Sequence, residues 1–303
     1  MKKVFGPLIA LVLIVALPCE AFCEINDSAT EELLRMARSM TPEQARRLIE
    51  RGADIHAANN EGDTPLILAA RSNRHPEVIS ILVDAGAIVN EMTAYPWKTA
   101  LIEASYHNAN AAVIKTLVEN GATVDFGVYG EGSHIKHTPP VIAISSNQNP
   151  AIVRYLIENF ERFDIVTDGE SFLHAAVYYD NLSAMRILLD MGVTPDARGA
   201  AEYDNRTALM QASQNDNIAA MRLLLERGAD INAIDNRGRN VLMKIFVHPF
   251  ISDDAITEKK VTFLLDAGVW VTKDILELAR ENEEFTDTAA YMRMERIYRE
   301  HHR

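Results

Sequence analysis

The chain is poor in cysteine. Its 303 residues hold only Cys19 and Cys23. The body of the protein therefore has no disulfide framework, no thiolate ligand set and no cysteine nucleophile. Glycine and proline are ordinary at 14 and 11, which excludes collagen-like and low-complexity classes. Positive charge is scarce: 30 Lys and Arg stand against 43 Asp and Glu, a net −13. An acidic balance repels phosphate backbones and supplies no basic patch for an anionic membrane, so nucleic acid is not an expected partner. Long hydrophobic runs are lacking as well. Leu8 to Leu17 is unbroken and apolar, but ten residues of helix rise about 15 Å, half the thickness of a bilayer core.

That run has a different use. Lys2 and Lys3 precede it, and the small residues Ala21 and Cys23 follow it. Charge, apolar segment and small-residue site form the layout of a secretory signal peptide, expected over residues 1–23, with cleavage after Cys23 or, as the rival, after Ala21. A lipidated cysteine is a further alternative, opposed by Pro18 before Cys19 and Phe22 before Cys23. Loss of Lys2, Lys3 and Glu20 with such a leader takes the net charge from −13 to −14. The expectation is an exported protein, in the periplasm first, with secretion or a lipid anchor as alternatives and no stable membrane insertion after cleavage.

What the chain has in abundance is repetition. Gly62-Asp63-Thr64-Pro65-Leu66-Ile67-Leu68-Ala69-Ala70 is the clearest copy. Related stretches begin at Thr99, Thr138, Ser171, Thr207 and Asn240. Their third positions fall at 66, 101, 140, 173, 209 and 242, in steps of 35, 39, 33, 36 and 33. A second landmark keeps the same phase. Apolar doublets precede Gly52, Gly86, Gly121, Gly192, Gly228 and Gly268, and Leu156-Ile157 precedes Phe160 where the glycine is lost. Each doublet has an apolar residue three positions earlier (Ala45, Ile79, Ile114, Val153, Met185, Met221, Val261), which places all three on one helix face.

The pattern resembles the ankyrin repeat, with its period near 33 and its T-P-L-H-x-A signature. Arg51-Gly52-Ala53-Asp54-Ile55-His56-Ala57 and Arg227-Gly228-Ala229-Asp230-Ile231-Asn232-Ala233 resemble that family's repeat ending. The resemblance runs from about residue 45 to 271. It implies an all-α solenoid of stacked helix-turn-helix units, closed by N- and C-terminal capping helices. Residues 24–303 then form one domain: a capping repeat over 28–58, repeats over 59–271 and capping helices over 272–303. Local chemistry agrees. Thr64 can cap a helix whose first turn holds Pro65, and Gly86 suits the left-handed residue that ends the second helix. Thr41-Pro42-Glu43-Gln44 reads as a capping box. Pro140 in place of leucine and Phe160 in place of glycine make the third repeat the least regular. Enlarged connections are expected at 126–137 and near 248–256.

No catalytic motif is present: neither a phosphate-binding P-loop nor a G-x-S-x-G elbow occurs. The chain is expected to be no enzyme and to need no cofactor or metal. The one alternative in that direction is the 126–137 loop, where Glu131, His134 and His137 could meet a metal if the loop were helical. His174 stands at the T-P-L-H position, where the resemblance implies a structural ring.

Ankyrin stacks bind other proteins through turn tips and the exposed ends of their first helices, so the resemblance implies another protein as partner. The matching positions are Asn60, Glu61, Asp63, Arg71 and Ser72, then Lys98, Tyr106 and His107. Glu170, Tyr178 and Tyr179 follow, then Arg206, Gln214 and Asn215, and finally Arg237 and Arg239. Tyr95, Trp97, Tyr129 and Tyr203 lie beside that line. Tyr, Trp and Arg are the usual anchors of interfaces, so the tyrosines of repeats two to four mark the expected hot spot. A structural, self-associating envelope component is the alternative role.

Overall fold

The structure, a computed structural model, describes residues 26–93, 98–129, 136–147, 149–160, 167–199, 204–247 and 254–301. The expected leader lies outside them. Helices alternate in pairs along the chain. The cap pair is α1 (Asp27–Met36) and α2 (Pro42–Glu50); α3 (Pro65–Ser72) and α4 (Pro76–Asp84), then α5 (Ala100–His107) and α6 (Ala111–Glu119), follow. After a short hairpin of β1 (Val128–Tyr129) and β2 (Lys136–His137) come α7 (Pro139–Ser146) and α8 (Pro150–Glu158), then α9 (Thr167–Tyr178) and α10 (Leu182–Asp190). Next are α11 (Ala208–Gln214) and α12 (Ile218–Glu226), then α13 (Val241–Val247) and α14 (Asp254–Asp266). The far end is α15 (Lys273–Arg280), α16 (Glu283–Thr286) and α17 (Ala289–His301).

The first helix of each pair packs on the first helix of the next, from α3 through α5, α7, α9, α11 and α13 to α15; the second helices stack likewise from α2 to α12. Small residues explain the closeness of the inner stack. Ala69, Ala70, Ala104, Ser105, Ala143, Ala175, Ala176, Ala212 and Ser213 are all buried. Small side chains bring inner helices nearer than outer ones, so the stack curves and its inner face is concave. One continuous apolar core runs from Ala29 to Met294. No repeat could bury its apolar stripe alone.

Local rules account for the helix ends. The Thr41 hydroxyl accepts from Gln44 N (3.3 Å) while the Gln44 carbonyl accepts from Thr41 N (2.8 Å), completing the capping box. Thr64, Thr99 and Thr207 cap α3, α5 and α11 in the same manner. Outer helices close on a left-handed glycine. At Gly86 φ is 107°, its N–H donates to Val83 O, and Ala87 N–H donates to Leu82 O. Only glycine takes that conformation without strain.

The irregular third repeat is resolved simply. Pro139 and Pro140 both occupy the first turn of α7, where N–H groups have no intrahelical partner to lose. Phe160, in the glycine's place, packs edge-on against Phe172 with centroids 5.5 Å apart. The enlarged connection begins and ends in the antiparallel pairing Val128↔His137 and Tyr129↔Lys136. His137 therefore sits on a strand and not on a helix, which removes the premise of the metal alternative. Glu131 and His134 lie outside the described residues, as do 248–253 of the second enlarged connection.

Candidate functional site

Counting from the leucine-like third position of each repeat, the fifth residue onward falls near the end of the inner helix: Arg71, Tyr106, Ser145, Tyr178, Gln214 and Val247. The sixth residue onward gives Ser72, His107, Ser146, Tyr179 and Asn215. Tyr106 and Tyr178 are 47% and 57% exposed, while Tyr179 is half-buried against the core. Tyr106 lies against His107 with centroids 5.1 Å apart, and Tyr178 meets Tyr179 edge-on at 5.0 Å. Burial, then the proximity of Tyr178 and of Tyr106, raises the Tyr179 phenol above its ordinary range. Tyr106 of α5 and the two tyrosines at the end of α9 stand on either side of α7, which packs between those helices. There α7 presents only Ser145 and Ser146, whose hydroxyls are 2.9 Å apart. Large rings thus flank two small serines in the middle of the inner-helix row.

The expected residues on the N-terminal side are tied to one another. Asp63 is fully buried, and Lys98 Nζ sits 3.0 Å from its Oδ1. Burial leaves Asp63 no surface for a partner, in contrast to its expected place at a turn tip. Asn60 and Glu61 are exposed beside it, and Asn59 Oδ1 accepts from both Glu61 N and Asp63 N to hold the tip. Arg71 reaches the buried Glu103 carboxylate at 3.5 Å, and His107 stands 3.8 Å from it.

The C-terminal side carries a denser network. Asp235 Oδ1 accepts from Arg237 N and Arg239 N, repeating the Asn59 turn. Lys244 Nζ lies 2.7 Å from Asp235 Oδ2, and Arg239 bridges Asp235 (2.8 Å) and Asp204 (2.6 Å). Arg237 Nε lies 2.8 Å from Asp204 Oδ1. Burial alone would raise the Asp235 carboxyl, but the Lys244 ammonium and the Arg239 and Arg237 donors outweigh it and hold it well below the carboxylate range. Asp204 is lowered against its own desolvation by Arg239, Arg237 and Lys244. Arg206 donates to Gln214 Oε1 at 3.0 Å, at the end of α11.

The remaining expected positions divide. Tyr129 is in β1, with its side chain outside the described residues. Glu170 lies within α9, its side chain likewise undescribed. Tyr95, Trp97 and Tyr203 are outside them altogether. Asn215 is exposed, but its amide donates to Val177 O (3.2 Å) and Tyr178 O (3.4 Å). It belongs to a ladder that the sequence reading passed over. Asn73 donates to Ala37 O and Met40 O, Asn108 to Ala70 O and Asn73 O, and Asn147 to Ser105 O and Asn108 O. Each asparagine satisfies carbonyls at the end of the preceding inner helix or of the turn after it, groups that a helix alone leaves orphaned. The signal was available: an asparagine recurs just past the end of each of these inner helices. His174 is also structural. Its Nε2 lies 3.0 Å from Ala197 O and its Nδ1 2.5 Å from Gln211 Oε1, and burial lowers its pKa.

Among the described residues no set of three or more His, Cys, Asp or Glu is placed to hold a metal, and no helix is long and apolar enough to cross a membrane. The architecture defines a helical-repeat solenoid with an extended concave face. The family model for ankyrin repeats matches three stretches, residues 33–129, 126–199 and 141–235. The chain belongs to the ankyrin-repeat family, whose repeats generally mediate protein–protein interaction. The ankyrin repeat domain of human ASB11 superposes with a TM-score of 0.56 at 20% identity, covering 78% of this chain and 96% of that one. The ankyrin repeat domain of Bcl-3, described as a unique member of the IkappaB protein family, gives 0.51 at 23% identity, covering 72% and 91%. At these identities the likeness is one of fold. No curated protein matches the sequence.

Proposed function

We propose that this chain is an exported, non-catalytic binding module that grips a partner protein along its concave face, as an inhibitor or immunity factor or as an accessory to an envelope enzyme. The observation that carries the reading is the placing of Tyr106, Tyr178 and Tyr179 on either side of Ser145 and Ser146 in the inner-helix row. Two large, exposed rings in the middle of an otherwise well-packed inner face are the residue type and placement of interface anchors. Export rests on the leader-like residues 1–23, and the periplasm is the compartment proposed.

The test is capture from native envelope extract by the tagged chain, beside a variant with Tyr106, Tyr178 and Tyr179 changed to Ala. A protein held by the first and lost by the second supports the reading. A protein held equally by both removes these tyrosines from the site. Mass spectrometry of the mature N-terminus tests export: a start at Glu24, or at Phe22, agrees, whereas a retained Met1 refutes it.

A further inference from the structure

The turn that follows each outer-helix glycine gives its second residue two tasks. The first is for the backbone, which ties the turn to the same turn of the preceding repeat. Thr123 N donates to Asn90 Oδ1 (2.9 Å), Asp230 N to Asp196 Oδ1 (2.8 Å) and Trp270 N to Asn232 Oδ1 (2.8 Å). The second is for the side chain, which folds back to accept an N–H two residues on. Asp54 accepts from His56 N, Thr194 from Asp196 N and Asp230 from Asn232 N. That task needs a short side chain with an oxygen acceptor, and Trp270 has none. Its side chain is 69% exposed, the largest value among the exposed apolar side chains of the described residues. Ile88 is also apolar and exposed at this position, but Trp270 is the wider surface and its backbone is fixed on both sides. Beyond the bond through its N–H, its carbonyl accepts from the Asn240 amide at 3.4 Å, and Asn240 Oδ1 in turn accepts from Met243 N at the start of α13. A large ring that breaks a local rule, stays in water and stands on a fixed backbone fits an interface anchor.

We propose that Trp270 anchors a second contact surface, in the turn after α14, that takes a basic segment of a partner protein, with an arginine or lysine side chain lying over the indole. The choice of charge comes from complementarity. The whole sequence carries net −13, so its long-range attraction is for cations. Asp230, in the turn to which Trp270 is tied, and Asp274, four residues past it, are both exposed, and among the described residues neither is in an ion pair. Lys273, the cation between Trp270 and Asp274, is engaged by Glu277 at 3.0 Å. Indole is the aromatic face that holds a cation best. The surface is separate from the tyrosines of α5 and α9, so it goes beyond the concave-face reading and does not need it.

The probes are three fluorescein-labelled nonapeptides in which glycine alternates with arginine, glutamine or glutamate. Binding to the purified chain is read by fluorescence anisotropy at about 0.15 M salt, where the screening length is about 8 Å. The arginine peptide is expected to bind best, and Trp270→Thr should weaken it about threefold or more. Threonine restores the side chain that Thr194 uses in its own turn, so this variant should melt within about 2 °C of the parent chain. The chain has two tryptophans, Trp97 and Trp270. In a Trp97→Phe chain the remaining indole emission therefore reports on Trp270 alone, and an unlabelled arginine peptide should change it. The proposal is overturned if none of the peptides binds, if the glutamine or glutamate peptide binds as tightly as the arginine peptide, or if Trp270→Thr binds the arginine peptide unchanged. A melting temperature several degrees lower in Trp270→Thr would make the ring a packing residue and overturn it as well. Two further outcomes would assign Trp270 to another occupant: Trp270-dependent binding to phosphatidylcholine vesicles, or concentration-dependent self-association that Trp270→Thr abolishes.

Discussion

Replacing Asn108 by Ala should cost far more stability than a surface asparagine-to-alanine change, and the structure sets the magnitude. Asn108 is buried at the end of α5. Its amide donates to Ala70 O (2.9 Å) and Asn73 O (3.1 Å), and its Oδ1 accepts from Asn110 N (2.9 Å). Alanine would strand two carbonyls and one N–H between the first two full repeats. Each lost bond is worth about 1 kcal/mol net, and a buried group left without a partner costs about 1–3 kcal/mol. A total of about 3–4 kcal/mol follows. Helix propensity offers little compensation, because Asn108 is extended (φ −92°, ψ 118°) and not helical. Asn90 is the control. Its amide donates to Gly121 O (2.8 Å) and its Oδ1 accepts from Thr123 N (2.9 Å), but both bonds are exposed. Water replaces them in Asn90→Ala, so about 1 kcal/mol or less is expected. Urea unfolding followed by far-ultraviolet circular dichroism measures both. Because each repeat is coupled only to its neighbours, Asn108→Ala should also broaden or split the transition. Equal losses for the two variants would refute the argument that burial decides the worth of these ladders.

Other expectations can be checked on the same footing. Lys98→Met strands the buried Asp63 carboxylate and should cost about 3–5 kcal/mol; adding Asp63→Asn should restore much of it, and a double variant no better than the single would contradict the pairing. Burial lowers the His174 pKa below 6.5, so the unfolded chain takes up the proton first as pH falls. Stability is then full above about pH 6.5 and declines below it, and His174→Gln should flatten thermal melting temperature between about pH 7.5 and 5.5. A Cβ at position 127 would lie 2.7 Å from Thr138 Cγ2 and 2.8 Å from His137 O. Gly127→Ala should therefore disturb the β1–β2 pairing and lower the melting temperature, whereas an unchanged melt would mean that the hairpin shifts freely. Tyr106→Ala and Tyr178→Ala, both at exposed rings, should each change stability by about 0.5 kcal/mol or less; a loss of several kcal/mol would make them packing residues and not anchors.

Much of the fold was legible because ankyrin repeats write their geometry into short-range chemistry. Thr64 with Pro65 starts a helix wherever it occurs, Thr41 with Gln44 completes a capping box, and glycine after an apolar doublet ends a helix. Repetition at a fixed period then forces stacking, since one pair cannot bury its own apolar face. The tyrosines at 106 and 178 were legible for the same reason: position within a repeat assigns them to the inner face. Other features depend on which repeat lies next to which. Asp63 reads as a turn-tip residue until Lys98 of the following repeat is seen to cover it. Asn215 reads as a contact residue, yet its amide is held by the end of α9. Tyr106 and Tyr178 share one row only because α5 and α9 pack on either side of α7 and its serines, and the ion network forms only because Arg237, Arg239 and Lys244 converge on Asp204 and Asp235. Periodicity determined the helices, their caps and the existence of a concave face. The tertiary structure decided which polar groups that face leaves free, because a side chain's partner across a repeat interface lies more than thirty residues away, beyond the reach of any local rule.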